Sequence, residues 1–174
     1  PETVKFGRAE ESATEITEEG EFGSFRQGGK IVMTARWENL GESIVGPSRT
    51  SGQQWASWQA VWGPRGADGH PAALFDDRAG AIDRAVAEQY RAYDIGGLIR
   101  HDPKKYVPLM RERVRLVVGG DDNFYLEKAV RLVKDDLDRI TDNEPELKAY
   151  SAAASPGYIV IVPGKDHGSV LSTQ

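Results

Sequence analysis

The 174-residue chain contains no cysteine. Disulfides, thiolate zinc sites and a cysteine nucleophile are therefore excluded, although the compartment is not, because exported proteins can also lack cysteine. Methionine is scarce: only Met33 and Met110 occur, and neither begins the chain, which reads as processed, cropped or a piece of something longer. No run approaches the roughly 20 apolar residues of a membrane span. No basic segment followed by an apolar one stands at the start, so neither a signal segment nor a membrane partner is expected. The chain is expected to be soluble, with its compartment open.

Positive charge is not gathered anywhere. Residues 1–22 hold seven glutamates against Lys5 and Arg8, which accounts for the whole formal net charge of −5. Beyond them acids and bases balance. The basic clusters Arg111/Arg113/Arg115 and Lys104/Lys105 are too short for a nucleic-acid stripe, so no nucleic-acid partner is expected. Only three histidines occur, His70, His101 and His167. Their scattered positions have no metal-ligand spacing, so no metal is expected, nor any other cofactor. His70 and His101 sit among turn residues and read as solvated loop positions.

What the chain does have is organised unevenly. Residues 1–50 read as an acidic, partly loop-like segment, with residues 1–30 loop and "KIVMTARW" (30–37) a strand. "GPSRTSGQQ" (46–54) reads as a loop. "WASWQAVWG" (55–63) is short and aromatic, either a strand or a turn of helix, and "GPRGADGHP" (63–71) is dense in turn residues. Ile82, Ala85, Val86, Gln89, Tyr90 and Tyr93 recur at helical spacing and predict a helix over 80–93. "IGGLIRHDPKKY" reads as broken by Gly96, Gly97 and Pro103.

The last third has the clearest pattern. "RVRLVV" (113–118) predicts a strand. Leu126, Ala129, Val130, Val133, Leu137 and Ile140 mark one face of a helix over 124–140, with Asp122 or Asn123 available to cap it. "YIVIV" (158–162) shows no alternation, which suits a strand covered on both faces in a parallel sheet. Strand, helix, strand is the right-handed crossover unit of an α/β fold, whose functional groups collect beyond the carboxyl ends of the strands. Asp121 and Asp122 follow the first strand and His167 follows the second. A carboxylate fixes the tautomer of an imidazole through its Nδ1 proton and stabilises the imidazolium, so the two would form an acid–base pair. Asp166 adjoins His167, but neighbouring side chains at a strand end usually diverge.

The order strand, Gly-x-x-Asp, helix, strand, x-Asp-His resembles the end of an α/β-hydrolase. Residues 51–174 are similar to predicted esterases of the esterase-D-like group, through "GGDDNFYLEKAV", "VPGKDHGSVL" and, less specifically, "WQAVWGPRGADGHPAALFD" with "GAIDRAVAEQYRAYDI". The resemblance implies an incomplete single domain over 51–174, the C-terminal part of an α/β-hydrolase sheet with parallel strands and crossover helices. It implies Asp122 as the triad acid, with Asp121 as second choice, and His167 as general base. The implied substrate is a small-molecule carboxylic ester. The implied partner is the missing N-terminal part of the same protein.

The resemblance also implies a serine ahead of the acid, in a Gly-x-Ser-x-Gly elbow between a strand and a helix. "GESIV" (41–45) and "GPSRT" (46–50) both lack the final glycine, and Ser24 in "FGSF" fits no better. No nucleophile or oxyanion loop is therefore assigned, and the chain alone is expected to be inactive. Trp55, Trp58 and Trp62 read as core or as the lining of a substrate site. The competing expectation is a non-catalytic α/β module that binds protein or carbohydrate through tryptophan-bearing loops, with residues 1–50 closing its sheet. Gly119-Gly120 could suggest a phosphate loop, but the acids beside it would repel phosphate, and the glycines more simply permit a sharp turn.

Overall fold

The computed structural model describes residues 17–18, 21–45, 54–74 and 82–172. The chain mixes helix and strand and divides into two units, residues 1–93 and 94–174. The 50/51 boundary expected from sequence lies outside the described residues, as do 46–53 of the expected loop and Ser48 within "GPSRT".

In the first unit, β1 (Gly23–Gln27) and β2 (Lys30–Thr34) form an antiparallel hairpin. Gly28 and Gly29 turn it with φ of 57° and 75°, the left-handed pair that a tight hairpin needs and that glycine adopts without strain. The expected loop over 1–30 is thus corrected at its end: β1 lies there. The strand expected over 30–37 stops at Thr34, whose hydroxyl accepts the Trp37 N–H at 3.3 Å and caps α1 (Ala35–Ile44). The Thr34 hydroxyl also donates to Glu21, whose carboxylate pairs with Arg36 at 2.8 Å; these bonds hold the Glu21 carboxyl below its ordinary range.

The aromatic stretch resolves as a helix, α2 (Gln54–Trp62). Trp55 joins Leu74, Val86, Ala87 and Tyr90 in this unit's core, with Trp58 stacked on Tyr90 at 4.7 Å. The expected turn region follows it, closed by an Arg65–Pro71 bridge. Of the helix expected over 80–93, α3 (Arg84–Gln89) and a 3₁₀ turn (Tyr90–Tyr93) are described. Asp83 caps α3 by accepting the Ala85 and Val86 N–H groups.

The second unit opens with two helices where the sequence reads as broken. They are α4 (Ile95–His101) and α5 (Pro103–Arg113). Pro103 starts α5 at its first position, where its missing N–H costs nothing, and the Asp102 carboxylate accepts the Lys105 N–H. His101 accordingly ends a helix rather than lying in a loop.

Then come β3 (Arg115–Gly119), α6 (Leu126–Asn143), a 3₁₀ turn (Pro145–Tyr150) and β4 (Tyr158–Val162). β3 and β4 pair in parallel, with Arg115 opposite Tyr158 and Gly119 opposite Val162. The start of this register is set by the Gly157 N–H on the Arg111 carbonyl at 2.7 Å and the Tyr158 N–H on the Val114 carbonyl at 3.0 Å. A Cβ at residue 157 would overlap the Arg111 oxygen, so only glycine permits that approach.

Arg111 is buried and pairs with Asp138 of α6. Burial pushes the Asp138 carboxyl up, but hydrogen bonds from Lys134 and Arg111 outweigh it and bring the carboxyl below its ordinary range.

Alternation along the paired strands puts Leu116, Val118, Ile159 and Ile161 on one face. There Ile159 packs on the core of Ile99, Val107, Leu137, Ile140 and Leu147. The other face carries Val117, Tyr158 and Val160, exposed by 39%, 48% and 42%. Among the described residues, the expected cover on both faces of "YIVIV" is therefore present on one face only. Each sheet among the described residues has two strands, β1 with β2 and β3 with β4. No helix among the described residues is long and apolar enough to cross a membrane.

Candidate acid–base site

Because β3 and β4 run in parallel and end opposite one another, the segments that leave them emerge on one rim. Two backbone bonds clamp those segments together. The Gly120 N–H donates to the Val162 carbonyl at 2.7 Å, and the Asp121 N–H donates to the Lys165 carbonyl at 2.9 Å. Gly119 sits where a Cβ would overlap the Lys165 carbonyl oxygen and come within 2.7 Å of that of Asp166. Glycine is required at this position by close backbone approach, which gives the "GGDD" turn its physical reason.

From this clamp the chain turns sharply into α6. Tyr125, fully buried, takes the left-handed conformation at φ 61°, rare and strained for an aromatic residue. The turn carries Asp122 inward, 1% exposed. Its Oδ1 accepts the Phe124 N–H at 2.8 Å and the Leu126 N–H at 3.4 Å, so it braces the turn ahead of the helix, while the cap position expected at Asp122 or Asn123 falls to Tyr125, which makes no side-chain cap bond. Its Oδ2 lies 2.9 Å from Nδ1 of His167. An ionised carboxylate only accepts, so this bond requires the imidazole proton on Nδ1. Bracing the turn and pairing with His167 are thus done by the two oxygens of one group.

The His167 side chain is half exposed. Among the described residues Nε2 makes no hydrogen bond, which leaves it available as a base. The His167 backbone N–H donates to Oδ1 of Asn123 at 3.3 Å, and the Phe124 ring meets the imidazole edge-to-face at 4.9 Å. Asp166 turns away from His167 and closes a tight turn with Ser169. Its carboxylate accepts the Ser169 N–H at 2.7 Å and hydroxyl at 2.6 Å, and these bonds hold it below the ordinary aspartate range.

The second-choice acid, Asp121, is exposed and enters the clamp through its backbone. Asp122 is the carboxylate that meets His167. Trp55 and Trp58 are packed in the first unit's core, while Trp62 is 44% exposed with its ring against Tyr93. Ser24 is buried in β1 with its hydroxyl on the Met33 carbonyl, and Ser43 lies within α1 on the Leu40 carbonyl. Neither occupies a strand-to-helix elbow. No cluster of three or more potential metal ligands occurs among the described residues.

The structure brings Asp122 and His167 together and adds Asn123 and Phe124, which the sequence did not single out, as contacts of His167. The signal was thin: polar then aromatic residues directly after the acid, which read equally well as helix start. The chain matches no protein-family model, no curated protein and no solved structure.

Proposed function

We propose that the chain is the C-terminal part of a serine ester hydrolase of the α/β-hydrolase kind, similar to esterase-D-like esterases, and that it contributes the acid and the base of the triad. The observation that carries this reading is the 2.9 Å contact of buried Asp122 with Nδ1 of half-exposed His167, at the tips of adjacent parallel strands. Nε2 of His167 takes the proton of a seryl hydroxyl supplied from elsewhere in the protein. The serine oxygen attacks the ester carbonyl carbon, and the imidazolium then gives its proton to the leaving alcohol. Water, deprotonated by the same nitrogen, cleaves the acyl-enzyme. Asp122 keeps the proton of neutral His167 on Nδ1 and stabilises the imidazolium in both half-reactions.

The half-covered β3–β4 pair also supports the reading. Parallel sheets occur almost only with both faces covered, and the apolar face at Val117, Tyr158 and Val160 has room for such cover.

The test uses the polypeptide that carries this chain. A fluorophosphonate probe is expected to label one serine outside this chain. His167→Asn and Asp122→Asn are each expected to lower kcat on p-nitrophenyl acetate by about 10⁴-fold. Ester turnover that survives His167→Asn unchanged would refute the reading.

A further inference from the structure

Resting on the acid–base reading of Asp122 and His167, we propose that Phe124 and Asn123 are positioning residues that fix the plane and the main chain of His167. A single hydrogen bond at Nδ1 sets one distance but leaves the ring free to tilt about it. Half of the imidazole side chain faces solvent, which cannot hold a plane. The Phe124 ring does so: its centroid lies 4.9 Å from that of the imidazole, with the planes at 77°. The same residue donates its backbone N–H to Oδ1 of Asp122 at 2.8 Å. Phe124 therefore touches the acid through its main chain and the base through its ring, and a shift of one is transmitted to the other.

Asn123 acts on the backbone. Its Oδ1 accepts the His167 N–H at 3.3 Å and ties the segment after β4 to the turn after β3. On the far side, the Asp166–Ser169 turn closes the loop around His167, with the Ser169 hydroxyl accepting the Asp166 N–H at 3.0 Å. The residues Asp122, Asn123 and Phe124 thus supply the acid, an anchor for the base's main chain and a wall for its ring. Positional errors of about 1 Å at a general base cost on the order of 10²-fold in rate, which is the effect expected from removing the wall.

Two readouts test this. In the 174-residue chain, nitrogen-detected NMR is expected to show a slowly exchanging Nδ1–H on His167. It should be lost in Phe124→Leu, which keeps apolar bulk without a ring, and restored in Phe124→Tyr. Asn123→Ala should speed hydrogen exchange at the His167 backbone amide, which keeps the proposal testable should the Phe124 variant unfold. In the polypeptide that carries the chain, Phe124→Leu should lower kcat by about 10²-fold, with KM changed less than about twofold. A Nδ1–H signal and a kcat both indifferent to Phe124 and Asn123 would overturn the proposal. A signal that depends on Phe124 in a polypeptide without ester turnover would support positioning and refute the hydrolase reading. Turnover that needs His167 but not Phe124 or Asn123 would refute positioning alone.

Discussion

Replacing Asp122 by alanine and by asparagine separates the two jobs of one carboxylate. Oδ1 holds the Phe124 N–H at 2.8 Å and the Leu126 N–H at 3.4 Å, and Oδ2 holds His167 Nδ1 at 2.9 Å. A hydrogen bond to a charged group contributes about 1.5–3 kcal/mol, and the 3.4 Å bond is too long to count for much. Two good bonds, discounted because the His167 side chain is half exposed, amount to about 2–4 kcal/mol lost in Asp122→Ala. At about 4–8 °C per kcal/mol for a unit of this size, melting of the second unit falls by roughly 8–32 °C.

Asparagine keeps an oxygen for the two backbone donors and presents an amide to His167. Its cost is expected below about 1.5 kcal/mol. Urea unfolding at pH 7, followed by circular dichroism and by hydrogen exchange of the α6 amides, reads both variants. Equal losses in the two, or a loss below about 0.5 kcal/mol in the alanine variant, would show that Oδ1 does not hold the turn ahead of α6.

Gly119→Ala is expected to destabilise the second unit by about 1–3 kcal/mol or more, because its methyl group must displace the carbonyls of Lys165 and Asp166. A melting temperature within a degree or so of the parent would contradict the close approach. The Ser169 hydroxyl and amide depress the Asp166 carboxyl, so the folded pKa lies below the unfolded one of about 3.9. The turn's contribution is therefore complete above that value and lost as pH falls through the folded pKa. Ser169→Ala should move Asp166 up towards the ordinary aspartate range, as read by carboxyl-carbon NMR; an unchanged titration would refute the cause.

The elements legible in the sequence were those whose burial repeats regularly. Leu137 and Ile140 sit in the core as the helical stripe of α6 requires, and the β-branched runs form β3 and β4 within two residues of expectation. The meeting of Asp122 and His167 was legible because each follows such a strand, and parallel pairing then brings the two side chains to one rim. The departures lie at the punctuation: Pro103 marks a helix start, announced by Asp102 before it, and Gly28-Gly29 between two short apolar runs turns a hairpin where the polar composition reads as loop. Thr34 ends a strand and caps a helix in one residue, so the apolar pattern ran past the boundary. The uncovered face of β4 was not legible, since an unbroken run such as "YIVIV" records the apolar character of both faces but not what lies against them.

The most direct test of the acid–base pair is the protonation site of neutral His167, read from its two ring nitrogens by long-range proton–nitrogen NMR at alkaline pH. The 2.9 Å contact predicts the proton on Nδ1 in the parent chain and its transfer to Nε2 in Asp122→Asn. A proton on Nε2 in the parent, unaffected by Asp122→Asn, would contradict the pairing on which the proposed chemistry depends.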